Sequence, residues 1–164
     1  MGNMRTPIDV IKWKVNPLAL AMKLTKEEVV PYFKDGRRIS FLLERVISRS
    51  SVPGKLAPSE RDYFDIEDSK GNKWEVRCLT ENGVNFGPSN GIGKDRKFNE
   101  QDFKKKLKLI KGYLLCDVTN FPTVYVYKIT SKEVLEAFSS GKLGKSASTK
   151  SPARARLIFQ ICPT

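Results

Sequence analysis

Two alternating arms joined by a tight turn constrain this chain more than any other stretch. Residues 62–80 read DYFDIEDSKGNKWEVRCLT. Phe64 and Ile66 on the first arm, and Trp74, Val76 and Cys78 on the second, recur at every second position, as the half-buried face of an antiparallel pair does. The charged residues fall on the other face. Between the arms, Asp68-Ser69-Lys70-Gly71-Asn72 has the composition of a three-residue hairpin loop closed by a glycine in the left-handed conformation. Such a loop fixes the register. With Asp68 opposite Asn72, Glu67 faces Lys73, Asp65 faces Glu75 and Tyr63 faces Arg77. Directly opposed carboxylates repel. A fold that sets Asp65 against Glu75 either leaves both in water or places a cation between them, and two oxygen ligands with open water positions suit Mg²⁺. Arg77 falls one side-chain period further along the same face.

Charge narrows the partners. The 164 residues carry 30 Lys and Arg against 18 Asp and Glu, a net charge of +12. That surplus repels itself unless an anionic partner accepts it, and without a basic amphipathic helix or lipidation signal nucleic acid is expected over a membrane. Histidine is absent. Its absence removes Ser-His and Cys-His nucleophile pairs, HExxH metalloproteases and histidine-based metal nucleases. Chemistry on a phosphodiester would then rest on carboxylates and metal. Cys78, Cys116 and Cys162 are odd in number and lack C-x-x-C spacing, so neither a disulfide framework nor a zinc site is indicated, and they read as small buried hydrophobes of a cytoplasmic protein. No run approaches the length of about 18 apolar residues that marks a membrane span.

The length fits one domain over 1–164, with 1–24 as an arm or dimerisation segment and 139–153 as a flexible basic loop. Ile8, Val10, Ile11 and Trp13 suggest a short strand or helical turn that Pro17 interrupts. Thr25 to Glu28 is a capping box for a helix that Gly36 should end. Ile39, Leu42, Leu43, Val46 and Ile47 share one face of a second helix, from which Glu44 projects away. Residues 81–97 are rich in glycine and asparagine, as a functional loop is. There Asn82, Asn85, Ser89, Asn90 and Arg96 can pair with base edges, and Lys94, Arg96 and Lys97 can neutralise phosphates. Asn99 caps a helix with Phe103, Leu107 and Ile110 as its buried stripe, which leaves Lys104, Lys105, Lys106, Lys108 and Lys111 mostly exposed as a phosphate-facing surface. Residues 112–118 read as a buried central strand and 123–129 as its neighbour. Asp117 reads as a hydrogen-bond acceptor at a turn. Thr130 to Glu133 caps another helix, and residues 154–161 read as a final apolar strand. The succession predicts an α/β fold, a mixed β-sheet flanked by helices.

Asp65, nine intervening residues, then Glu75-Val76-Arg77 resembles the PD-(D/E)xK nuclease superfamily, and most closely the small type II restriction endonucleases of the PvuII kind, which share this spacing and a Gly and an aromatic (here Gly71 and Trp74) between the acids. The resemblance covers residues 40–129. It implies a restriction-endonuclease-like αβββαβ core, which needs one more short strand between residues 50 and 60 or from the termini. It also implies Mg²⁺ held by Asp65, Glu75 and the carbonyl of Val76, with Glu44 as a helper carboxylate. Arg77 stands where the family has lysine, so Lys73 would share that role. The activity implied is site-specific hydrolysis of double-stranded DNA by a homodimer, leaving 5′-phosphates. Two other readings of the residues stand beside it: a non-catalytic basic nucleic-acid-binding protein, and an interaction subunit whose basic face meets an acidic protein.

Overall fold

The computed structural model describes residues 2–59, 61–88 and 97–162. Among them, a mixed sheet of six strands runs in the order β1-β7-β6-β4-β3-β2. It comprises β1 (Asp9–Lys12), β2 (Gly54–Leu56), β3 (Ile66–Asp68), β4 (Lys73–Leu79), β6 (Gly112–Asp117) and β7 (Thr123–Thr130). Only β4 and β6 pair in parallel; the other neighbours are antiparallel. Every residue of β6 is buried, as its unbroken apolar run requires of a strand covered on both faces.

Six helices cover the two faces. Helices α1 (Val15–Met22), α2 (Lys26–Phe33) and α3 (Gly36–Arg49) pack Val15, Val29, Phe33, Ile39, Leu43 and Ile47 against Trp74, Val76, Leu114 and Val126. Helices α4 (Glu100–Leu109), α5 (Ser131–Ser139) and α6 (Pro152–Ile158) bring Phe103, Leu107, Val134 and Ala155 to Leu79, Leu115, Tyr127 and Ile129 on the opposite face. Alternation along β4, β6 and β7 sorts their side chains between these two cores.

Local chemistry explains most of the boundaries. Capping boxes at Thr25 and Glu28 and at Thr130 and Glu133 open α2 and α5, and Asn99 accepts from the Asp102 amide at the start of α4. The hairpin loop closes as expected, with Gly71 at φ +81° and the Asp68 amide donating to the Asn72 carbonyl at 2.9 Å. Asp117 accepts from the amide and hydroxyl of Thr119, and Arg156 reaches it from α6 at 3.0 Å. Strand β2 supplies a short strand between residues 50 and 60, one of the two places where the extra strand was expected, pairing Gly54 with Asp68 and Leu56 with Ile66.

Three expectations are corrected. Gly36 begins α3 instead of ending α2, because Asp35 immediately before it caps the new helix by accepting from the Arg37 amide. Residues 152–158 form a helix instead of a strand: Ser151 accepts from the Arg154 amide and Pro152 occupies the first turn, where its missing N–H costs nothing. Within residues 139–153, Ser148–Thr149 form β8, which pairs with β5 (Val84–Asn85), and Leu143 and Ala147 are buried beside them. At the other end, residues 9–12 are a paired edge strand on β7.

Candidate active site

The register puts Ile66 opposite Trp74 and Glu67 opposite Lys73, as the loop dictates. Asp65 stands just outside β3, at a bend where the register ends, so the expected pairing with Glu75 is not formed. Its amide donates to the Trp74 carbonyl at 2.9 Å, its carbonyl accepts from the Ala57 amide at 2.8 Å, and its Oδ2 accepts from the Val76 amide at 2.7 Å. The carboxylate thus takes the position a partner strand would fill. Past the bend the chain changes side: Ile66 lies in the core under α1–α3 and Phe64 in the core under α4–α6. The expectation that these two share a face fails there. Tyr63 is likewise drawn from Arg77 to Lys73, whose Nζ donates to the tyrosine hydroxyl at 2.7 Å.

Glu75, on β4, faces the α4–α6 layer and is only 6% exposed. A carboxylate so buried must be paired. Its Oε1 accepts from Nη2 of Arg77 at 2.9 Å, and that same nitrogen donates to the Gly87 carbonyl at 2.8 Å. Its Oε2 forms an ion pair with Nζ of Lys106, which arrives from α4. Nε of Arg77 is buried with no hydrogen-bond partner among the described residues.

Lys106 was expected on the exposed face with its neighbours, and instead it is 7% exposed. The reason lies in helix geometry: Phe103, Lys106, Leu107 and Ile110 follow the i, i+3, i+4, i+7 spacing of a single buried stripe. A lysine in the middle of an apolar stripe was the signal that marked it. Burial lowers its pKa, Glu75 opposes the shift and Arg77 adds to it.

Asp65 and Glu75 feel each other. Burial raises the Asp65 carboxyl to about 6, Glu75 adds to the rise, and the hydrogen bond from Val76 with the charges of Arg77 and Lys106 oppose it. Its Oδ1 makes no hydrogen bond among the described residues. The Asp65 and Glu75 carboxylates are hard oxygen donors of the kind that Mg²⁺ takes, one or two from the protein while it keeps several waters. The described residues hold no cluster of three or more His, Cys, Asp and Glu side chains suited to a more fully chelated ion.

The remaining predicted residues divide. Lys73 donates to the Tyr63 hydroxyl and lies over the face of Phe64. Glu44 is half-buried on α3, 3.9 Å from Arg45. Burial raises the Cys78 thiol pKa, Arg77 opposes that, and Glu44 adds to it. Asn85 lies on β5, where its Oδ1 accepts from the Gly87 amide at 2.7 Å, the same glycine whose carbonyl accepts from Arg77. Lys97, Lys104, Lys105 and Lys108 are exposed, with Lys104 paired to Glu100. Ser89, Asn90, Lys94 and Arg96 lie outside the described residues. No helix of the described residues is long and apolar enough to cross a membrane. No protein-family model, no curated protein and no solved structure matches the chain.

Proposed function

We propose that the chain is a Mg²⁺-dependent endonuclease that hydrolyses phosphodiester bonds in double-stranded DNA, with a PD-(D/E)xK-like core. The observation that carries this reading is the meeting of Asp65, Glu75, Arg77 and Lys106 at the bend of the hairpin. A buried acid pair is costly for the fold and useful for holding a divalent cation. The order α3, β2, β3, β4, α4, β6, interrupted only by the short β5, supports the core assignment.

Asp65, Glu75 and the Val76 carbonyl would hold the metal, which when bound supplies an activated water for in-line attack and offsets the charge added at phosphorus. Arg77 remains protonated and therefore orients, pairing with Glu75 on one side. Lys106 brings a lysine Nζ to the site, its pKa lowered by burial and pulled back up by its ion pair with Glu75. In that respect it fills from α4 the place that Arg77 leaves open on β4. A palindromic target, cleavage to 5′-phosphates and a two-fold dimer complete the reading by resemblance.

A second reading has its own observation. Both oxygens of Glu75 are engaged by cations, as in a closed structural network, which suits a non-catalytic nucleic-acid-binding protein. Incubating the protein with supercoiled and mixed-sequence linear DNA separates the two. The nuclease reading expects fragments with Mg²⁺, none with EDTA and none from Glu75→Ala. Salt-sensitive DNA retention without any cleavage would leave only the second reading.

A further inference from the structure

Strand β3 stops pairing at Ile66, so among the described residues no strand lies alongside the outer edge of β4 from Val76 to Leu79. The bend at Asp65 opens this edge. What borders it is a cleft of about 500 Å³, floored by Val76, Arg77 and Cys78 and walled by the junction of α2 and α3. Gly36 keeps that wall close: a Cβ there would come within 2.7 Å of the Cys78 Cβ.

Lys34, Arg37, Arg77 and Asn82 line the cleft. Asp35 and Glu81 also border it. Their pairings are loose, with Lys34 at 3.8 Å from Glu81 and Arg37 Nε at 4.0 Å from Asp35, and the Arg37 side chain is 95% exposed. Exposed pairs of this kind contribute little and yield readily to a phosphate. Val76 and Arg77 line the cleft, and the Val76 amide holds the Asp65 carboxylate, so a chain of phosphates laid along the cleft runs up to the strand edge at which Asp65 is bound.

We infer that this cleft is the track for the sugar–phosphate backbone of the DNA strand to be cut, with Lys34 and Arg37 contacting phosphates next to the one that reaches Asp65 and Glu75. The inference rests on the nuclease reading and assigns residues that the sequence pattern did not single out. It places the DNA path on the α2–α3 side of β4, where the basic face of α4 is not required for the primary contact.

The test is equilibrium binding of a fluorescent duplex in EDTA across a salt series, for the wild type, for Lys34→Ala/Arg37→Ala, and for the charge-matched control Lys132→Ala/Lys145→Ala. Both replaced pairs lie at least partly exposed, and thermal unfolding checks that each variant is folded. Losing two phosphate contacts lowers the slope of log K against log salt by about 1.8 and raises Kd by tens of fold at 0.1 M salt. The control keeps the wild-type slope and affinity. Equal binding by the cleft variant and the wild type would overturn the cleft assignment while leaving the nuclease reading to its cleavage assay. A wild type that neither binds nor cuts DNA would remove both.

Discussion

Replacing Asp65 with asparagine separates what the fold wants from what the chemistry needs. Asp65→Asn keeps an oxygen to accept from the Val76 amide and removes a charge that Glu75 and burial both oppose. Because the folded carboxyl titrates near 6 instead of its ordinary value near 3.8, its contribution to stability is present in full below pH 3.8 and is lost as pH rises through 6. The difference of about 2 pH units corresponds to roughly 3 kcal/mol as an upper bound. In EDTA at pH 8, Asp65→Asn is therefore expected to unfold later in urea than the wild type, by up to that amount. At pH 4 the two should nearly coincide. Added Mg²⁺ should narrow the gap at pH 8 by stabilising the wild type alone. Urea titrations at both pH values, with and without Mg²⁺, measure all of this. A variant less stable than wild type at pH 8 in EDTA would refute the claim that the two carboxylates burden each other.

Lys106→Met should destabilise the protein by about 3 kcal/mol, because Glu75 keeps only Arg77 in a buried setting, and adding Glu75→Gln should restore much of the loss; a double-mutant cycle by urea unfolding reads the coupling. Arg156→Met should cost about 3–5 kcal/mol by the same measurement, since it leaves Asp117, 1% exposed, without its counter-ion, and the loss should have no bearing on Mg²⁺ stabilisation.

Much of this site was legible in local chemistry. The Gly71 loop set the register of Glu67 with Lys73 and Ile66 with Trp74, because a two-residue period leaves no freedom once one pair is fixed, but that register ends before Asp65, whose carboxylate bonds to the Val76 amide instead of facing Glu75. The bend at Asp65 was not legible: alternation continued through Phe64 on paper, and only packing against the second core turned that ring to the opposite face. Lys106 was missed although its position in the Phe103–Ile110 stripe was visible, because a lysine among lysines reads as surface until a buried partner 31 positions earlier, Glu75, is placed beside it. Residues 154–161 show the reverse failure. Their apolar run satisfies a strand as well as a helix, and the deciding signal lay before it, in Ser151 and Pro152.

On the proposed nuclease reading, Asp65 serves a bound cation and the phosphodiester rather than the fold. Cleavage of supercoiled DNA by Asp65→Asn in Mg²⁺, on the same preparation used for unfolding, tests it most directly. The expected result is a folded protein, at least as stable as the wild type at pH 8, that leaves DNA uncut while the wild type cleaves it. Cleavage by Asp65→Asn at the wild-type rate would contradict it.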